Sequence, residues 1–344
     1  MKQLYLMSAA ALLALPGMAT AQQAQPKASL NARLAGDLVP THDPVIAREG
    51  DRYYVFSTGH GERLIETRSS SDLEHWKSGA PVFTSMPDWA PKAVPGTGGM
   101  WAPDISFVNG RWRLYYSVST FGSNRSAIGL ATNATLDPAS PAFHWRDEGL
   151  VVQSMPSDDF NAIDPNFVID AKGRHWLALG SFWTGIKLFA LDPKTGKPQN
   201  RAAPPYAIAR RPAPAGGPAP VEAPFIVPHG GFYYLLVSYD YCCKGVNSTY
   251  YTVVGRAADI TGPYRGKDGS KLMDGGGTIF LRADLQEKQR FRGPGHAGWL
   301  HDKDGRDYVV YHAYDREKNG APTLRIAPVR WGADGWPVAE VGED

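Results

Sequence analysis

The sequence predicts an all-β fold: a five-bladed β-propeller whose four-stranded antiparallel blades surround a central channel. Three observations lead there. A hairpin-like unit recurs about every sixty residues, turn-forming residues are abundant, and the aromatics fall in short strand-like runs. Of 344 residues, 37 are Gly and 28 are Pro, above average usage and suited to many turns. Aromatics are 11% of the chain, with ten Trp and sixteen Tyr, which favours strands.

Each unit has a Pro beside polar or acidic residues, then a few apolar ones, a Gly turn and an aromatic strand. The first runs from Asp43-Pro44-Val45-Ile46 through Gly50 to Tyr53–Phe56. The second runs from Trp101-Ala102-Pro103-Asp104-Ile105 through Gly110 to Trp112–Tyr116. The third takes Asp164-Pro165-Asn166-Phe167, Gly173 and Trp176–Leu179. The fourth takes Glu222-Ala223-Pro224-Phe225, Gly230 and Tyr233–Val237, and a weaker fifth takes Gly295–Leu300, Gly305 and Tyr308–Tyr311. A sixty-residue period leaves room for a second hairpin, visible at Ser126–Ala131 and Tyr250–Val254. Four strands per unit, stacked radially, make a propeller blade. The stretch Arg201–Pro220 holds six prolines, which excludes a central strand, and reads as a loop between blades three and four.

Length alone suggests about two domains, but the repeat replaces that with one. Residues 1–21 read as a secretory signal: Lys2 is basic, Leu4–Leu15 is mostly apolar and Ala19-Thr20-Ala21 fits cleavage. Residues 22–36 read as a linker and 37–344 as a single propeller. The expected product is a secreted or periplasmic monomer. A formal charge of +2, without blocks of like charge, gives no footprint for nucleic acid or membrane. Cys242 and Cys243 are adjacent and are the chain's only cysteines. They exclude a disulfide framework and leave either a vicinal bridge or two free thiols.

In a propeller, the residue just before each innermost strand faces its counterparts across one mouth of the channel. Here that position holds Asp43, Trp101 or Asp104, Asp164, Glu222 and His296. Asp104 is two residues out of register and reads as structural. Three acids brought together raise at least one pKa, an arrangement typical of functional sites. Hydrolysis of a glycosidic bond needs one acid to protonate the leaving oxygen and one carboxylate to activate water or attack. Trp101 and Phe121 can stack on sugar faces. The competing reading for any single Asp or Glu beside a Pro is a turn residue. A non-catalytic sugar-binding propeller would keep the aromatics but need not keep three acids in register.

These same segments resemble the endo-α-1,5-L-arabinanases of glycoside hydrolase family 43. The resemblance rests on His42-Asp43-Pro44-Val45, Trp101–Ile105, Tyr115–Ser119 with Phe121-Gly122, Asn161–Pro165, Gly180–Trp183, Val221–Ile226, Cys242–Gly245, Ser248–Tyr250, Gly275–Gly277 and Gly295-His296. It covers nearly the whole chain from about Asp37. It implies a five-bladed propeller and an inverting hydrolase of arabinan, the neutral side chain of pectin. Asp43 matches the general base, Glu222 the general acid, and Asp164 the acid that raises the pKa of Glu222 and orients it. Asp43, Trp101, Phe121, Gly122, Asn161, Ala162, Ile163, Asp164, Ser181, Phe182 and Trp183 match substrate-contacting positions. His296 matches the ligand of a central cation, calcium, held through a largely water shell. After His296 this chain has Ala297-Gly298 where relatives carry Asn-Ser. The nearest alternative on the same fold is an exo-acting α-L-arabinofuranosidase or a β-xylosidase.

Overall fold

The five turn glycines, at 50, 110, 173, 230 and 305, each close the hairpin between the first two strands of a blade. All five have φ between 56° and 81°, and a Cβ there would meet nothing within 4 Å. Backbone handedness, not space, is what demands glycine at these turns. Apart from Met1, the computed structural model describes residues 28–200, 203–213, 217–283 and 290–342. The expected signal, residues 1–21, lies outside them but for Met1.

The chain opens with helix α1 (Leu30–Arg33) and strand β1 (Ala35–Gly36). Blade 1 contains β2 (Val45–Glu49), β3 (Arg52–Ser57), β4 (Glu66–Ser70) and β5 (His75–Ser78). After helix α2 (Ala90–Ala93) comes blade 2, with β6 (Trp101–Val108), β7 (Arg111–Val118), β8 (Ser126–Asn133) and β9 (Arg146–Ser154). Blade 3 contains β10 (Asn166–Ile169), β11 (His175–Leu179), β12 (Ile186–Leu191) and β13 (Tyr206–Ala209). Blade 4 contains β14 (Val221–His229), β15 (Phe232–Tyr239), β16 (Tyr251–Ala257) and β17 (Thr278–Leu281). Blade 5 contains β18 (Phe291–His301), β19 (Asp307–Asp315), β20 (Ala321–Trp331) and β21 (Pro337–Ala339). Consecutive strands within a blade pair antiparallel, and β1 adds parallel to the outer edge of blade 1. The five-bladed, four-stranded architecture expected from the repeat is therefore present. Among the described residues, no helix is long and apolar enough to cross a membrane.

The core lies between blades. Five apolar clusters each join two neighbours, so every blade is buried on both faces. This is why its strands read as nearly unbroken apolar runs rather than alternating ones. In β15, Tyr233, Leu235 and Val237 pack towards blade 3, while Tyr234 and Leu236 pack towards blade 5.

Two segments differ from expectation. The proline-rich stretch 201–220 is not all loop: Tyr206–Ala209 forms β13, the outer edge of blade 3. An edge strand can carry flanking prolines because its outward N–H groups need no partner. The described part of the expected linker carries α1 and β1, which fasten the end of the ring to its start. The Asn31 amide donates to the Tyr311 hydroxyl (3.2 Å) and to the Val341 carbonyl (3.3 Å), while its oxygen accepts the Ile326 N–H (3.0 Å). Leu324 N–H donates to the Leu38 carbonyl (3.0 Å), and Thr41 N–H to that of Pro322 (2.9 Å).

Asn31 is 3% exposed, so Asn31→Ala removes three buried hydrogen bonds at once. A loss of about 1–3 kcal/mol is expected. Urea unfolding should show a lower midpoint with an unchanged slope; an unchanged midpoint would dismiss the clasp.

Candidate active site

One residue at the channel end of each inner strand is held at positive φ: Asp43 (52°), Ala102 (43°), Asp164 (58°), Ala223 (55°) and His296 (51°). None is glycine, and the left-handed conformation costs of order 1–2 kcal/mol at each. In four blades the next residue is proline: Pro44, Pro103, Pro165 and Pro224. The N–H of each left-handed residue is captured by the preceding blade. Ala102 donates to Thr58 Oγ1 (2.9 Å), Asp164 to Ser117 Oγ (3.0 Å), His296 to Ser238 Oγ (2.9 Å), and Asp43 to His312 Nδ1 (3.1 Å), which closes the ring. Blade 3 has Gly180 at the accepting position. There the Ala223 N–H turns to the carboxylate of Asp164 instead (Oδ2, 3.1 Å).

This ring sets the register of the acids. Asp43, Asp164 and His296 occupy equivalent places. Glu222 lies one residue earlier, in the place that Trp101 fills in blade 2: Trp101 pairs with Ser117 and Glu222 with Ser238. The common register expected for all three acids is thus corrected, yet the offset still delivers Glu222 beside Asp164, because Ala223 is the residue Asp164 holds. In blade 5 the same place is Gly295, where a Cβ would collide with the Tyr250 ring at 2.2 Å.

The three acids differ in protonation. Asp43 accepts from Thr58 Oγ1 (2.6 Å), and lies against His42 Nδ1 (2.8 Å) and His296 Nδ1 (2.9 Å). Burial acts to raise its pKa, but the imidazoles of His42 and His296 outweigh it and hold the carboxyl well below the usual range. Burial also works against charge on His296, yet Asp43, with Asp164 and Glu222 beyond it, pushes this imidazole up to about 9. Asp164 and Glu222 go the other way. Burial raises both; the charge of Glu222 further disfavours ionisation of Asp164, and that of Asp43 disfavours ionisation of Glu222. Glu222 Oε2 accepts from Ser181 Oγ at 2.7 Å. One carboxylate is thus kept ionised, while a neighbouring pair keeps a proton where an exposed acid has lost it.

The structure sorts the other expected residues. Trp101 and Phe121 line a cleft of about 300 Å³ with Gly59, Gly99, Ser119 and Thr120. Phe121 is 89% exposed, and Gly122 follows it at φ 79°. Ser181, Phe182 and Trp183 run beside β14: Ser181 bridges Glu222, Phe182 N–H donates to the Val221 carbonyl (2.9 Å), and the Trp183 carbonyl accepts Ala219 N–H (2.9 Å). Asn161 and Ile163 are buried, and Ala162, expected at the substrate, is wholly enclosed between blades 2 and 3. Its side chain supports the loop instead of meeting a ligand. Asp104 is structural as read: it accepts from Phe167 N–H (2.7 Å) and Asn166 Nδ2 (3.3 Å), and burial pushes it up to about 7. A larger cavity of about 480 Å³ borders Arg111 and Lys194, and none of the three acids lines it.

Sequence reasoning missed Thr58, Ser117, Ser238 and His312. They lie seven or eight residues after the turn glycines, so the repeat held the signal. It also quoted His42 without a task. Cys242 and Cys243 form a vicinal disulfide beside it.

The family model described as glycosyl hydrolases family 43 matches residues 39–337. The extracellular endo-alpha-(1->5)-L-arabinanase 1 of Bacillus subtilis (strain 168) is 44% identical over 303 residues, covering 86% of each chain. The extracellular exo-alpha-(1->5)-L-arabinofuranosidase ArbA of Cellvibrio japonicus (strain Ueda107) is 42% identical over 316 residues, covering 89% of this chain and 88% of that one. The solved Cellvibrio cellulosa alpha-L-arabinanase complexed with arabinohexaose matches with a TM-score of 0.82 at 39% identity, covering 90% of this chain and 99% of that one.

An acid whose pKa is raised by folding contributes stability that is lost as pH climbs through its folded value. Asp164→Asn removes that loss while keeping an oxygen for Ala223. Its melting temperature should exceed that of the wild type at ~pH 8, with the gap closing towards ~pH 4, near the unfolded carboxylate value. A gap that does not vary with pH would contradict the raised pKa.

Proposed function

The chain belongs to glycosyl hydrolases family 43, and from that premise and the site's geometry we propose an endo-acting hydrolase of α-1,5-linked L-arabinan. The observation that carries the reading is the opposed protonation of acids converging from three blades, the pattern that separates acid from base in glycoside hydrolysis. Glu222 gives its proton to the glycosidic oxygen as the bond to the anomeric carbon breaks. Asp43 takes a proton from the water that attacks that carbon from the opposite face, inverting its configuration. A base held as low as Asp43 suits an oxocarbenium-like transition state, in which water surrenders its proton only as its bond to carbon forms. Asp164 keeps the Glu222 proton in place and fixes the adjacent backbone. Trp101 and Phe121 offer apolar faces to successive sugars along the cleft.

The relatives named for endo- and exo-action are similarly close to this chain, so the products of a linear substrate separate the two modes. Both are also named extracellular, which supports export of this chain, with Gln22 as the first residue after cleavage.

Calcium on His296 is part of the same proposal. Calcium takes six to eight oxygen ligands. His296 offers one imidazole whose Nδ1 already faces Asp43 at 2.9 Å. These residues fit only an ion that displaces the proton His296 otherwise carries and is held by that single nitrogen in a shell of water, and it would supply the positive charge the proton gave among the acids. His42, Asp43 and His312 also present ligand atoms within 4.8 Å of one another, but a set with two nitrogens suits a softer cation.

Linear arabinan should yield a ladder of oligomers at early times, with the opposite anomer at each new end by NMR. A single short product would move the reading to exo-action. Asp43→Ala and Glu222→Ala should each lower kcat about 10²–10⁴-fold while retaining the wild-type circular dichroism, and near-normal turnover in either would remove its role. Calcium added to chelator-stripped protein should raise the melting temperature of the wild type but not of His296→Ala. An equal response in both would place the ion elsewhere.

A further inference from the structure

Asp43 is reached from the rim of the mouth by an unbroken hydrogen-bond chain that ends at the disulfide. The backbone N–H of Cys243 donates to the Tyr314 hydroxyl oxygen at 2.7 Å. That hydroxyl lies 2.8 Å from His42 Nε2, and His42 Nδ1 lies 2.8 Å from Asp43 Oδ2. With Asp43 ionised, these contacts accommodate a relay of hydrogen bonds directed inward from the rim. Cys243 N–H occupies the phenol oxygen, the phenol O–H donates to Nε2, and Nδ1–H donates to the carboxylate. The His42 ring is also clamped from the side, stacked on buried His312 with centroids 4.0 Å apart and planes 23° apart. Its orientation is thus set by Tyr314 at one end and His312 on one face.

Cys243 presents its N–H from a left-handed backbone (φ 66°), a conformation an unconstrained non-glycine residue leaves readily. The bond to Cys242 closes a small ring around that peptide and restricts its rotation. Resting on Asp43 as the base, we propose that the vicinal disulfide is a positioning element for catalysis: it holds the Cys243 N–H that orients Tyr314 and His42, and through them the Asp43 carboxylate. Cys243 is exposed, so a soluble reductant can reach the pair. The chain has no other cysteine, so any effect of reduction reports on this bond alone.

The test uses the full mature enzyme and a water-soluble phosphine. The phosphine gives two electrons and takes an oxygen from water, becoming the phosphine oxide. The two protons of that water complete two thiols as the S–S bond breaks. Thiol titration confirms two free thiols per chain. The expected result is a fall in kcat on arabinan of roughly tenfold, the scale seen when an outer partner of an active-site ligand is lost, with KM within about twofold. The Cys242→Ser/Cys243→Ser variant, which keeps the backbone N–H but not the ring, should start at the lowered kcat and ignore the phosphine. Tyr314→Phe should lose kcat similarly. Full kcat in the reduced enzyme or in the double variant would overturn the proposal. If Asp43→Ala keeps its activity, both the base and its positioning fail; if it is inactive while reduction changes nothing, only the positioning fails.

Discussion

Five captured backbone N–H groups hold the mouth of this propeller together. Each inner strand enters through one left-handed residue, and the preceding blade fixes that residue by a hydroxyl, an imidazole or a carboxylate. The ring closes on itself when His312 of the last blade takes the N–H of Asp43 in the first. Elsewhere the blades are joined by apolar clusters, which fix distances well but orientation loosely, and by scattered polar bridges such as those of Asp104 to Phe167 and Asn166 to Ile226. The captures add direction. They turn a repeated fold into a site in which carboxylates from three blades sit in defined relation to one another.

The break in the ring is informative. Because Gly180 offers no side chain, Asp164 accepts the Ala223 N–H itself, which ties it to the backbone next to Glu222. One missing hydroxyl in blade 3 therefore couples two acids, whereas Asp43 on the other side is surrounded by Thr58, His42 and His296. The environments push the protonation states apart. Burial of raised acids and non-glycine residues at positive φ both oppose folding, and both are concentrated at this mouth. The well-packed clusters between blades, together with the N-terminal clasp through Asn31, offset that cost elsewhere.

The blade count and hairpin turns were legible because they rest on local rules: glycine at positive φ, and strands of unbroken apolar character where both faces are buried. The three acids were legible because the repeat aligns them. The one-residue offset of Glu222 was not, since it depends on where the left-handed residue falls, and no residue type marks Ala102 or Ala223 as that residue. Thr58, Ser117 and Ser238 are small polar residues at strand ends, ordinary anywhere else, and only their common distance from the turn glycines sets them apart. Ala162 was misplaced because a motif shared with relatives does not say which of its side chains turn inward. The roles of α1 and β1 depend on contacts of α1 with blade 5, some three hundred residues away, and of β1 with strand β5 of blade 1, about forty away, which no local pattern records.

The claim at the centre of this account is that captured N–H groups aim the acids, and Ser117 tests it most directly. Its side chain holds the N–H of Asp164 and is fully buried, so Ser117→Ala deletes one capture without touching any acid. Steady-state hydrolysis of linear arabinan across pH should show a kcat lowered by at least roughly tenfold, the scale of losing a positioning hydrogen bond, and an altered alkaline limb as the Asp164–Glu222 pair loosens. Wild-type kcat and an unchanged pH profile in a folded Ser117→Ala protein would show that the remaining contacts between blades place the acids without this capture, and would contradict the account.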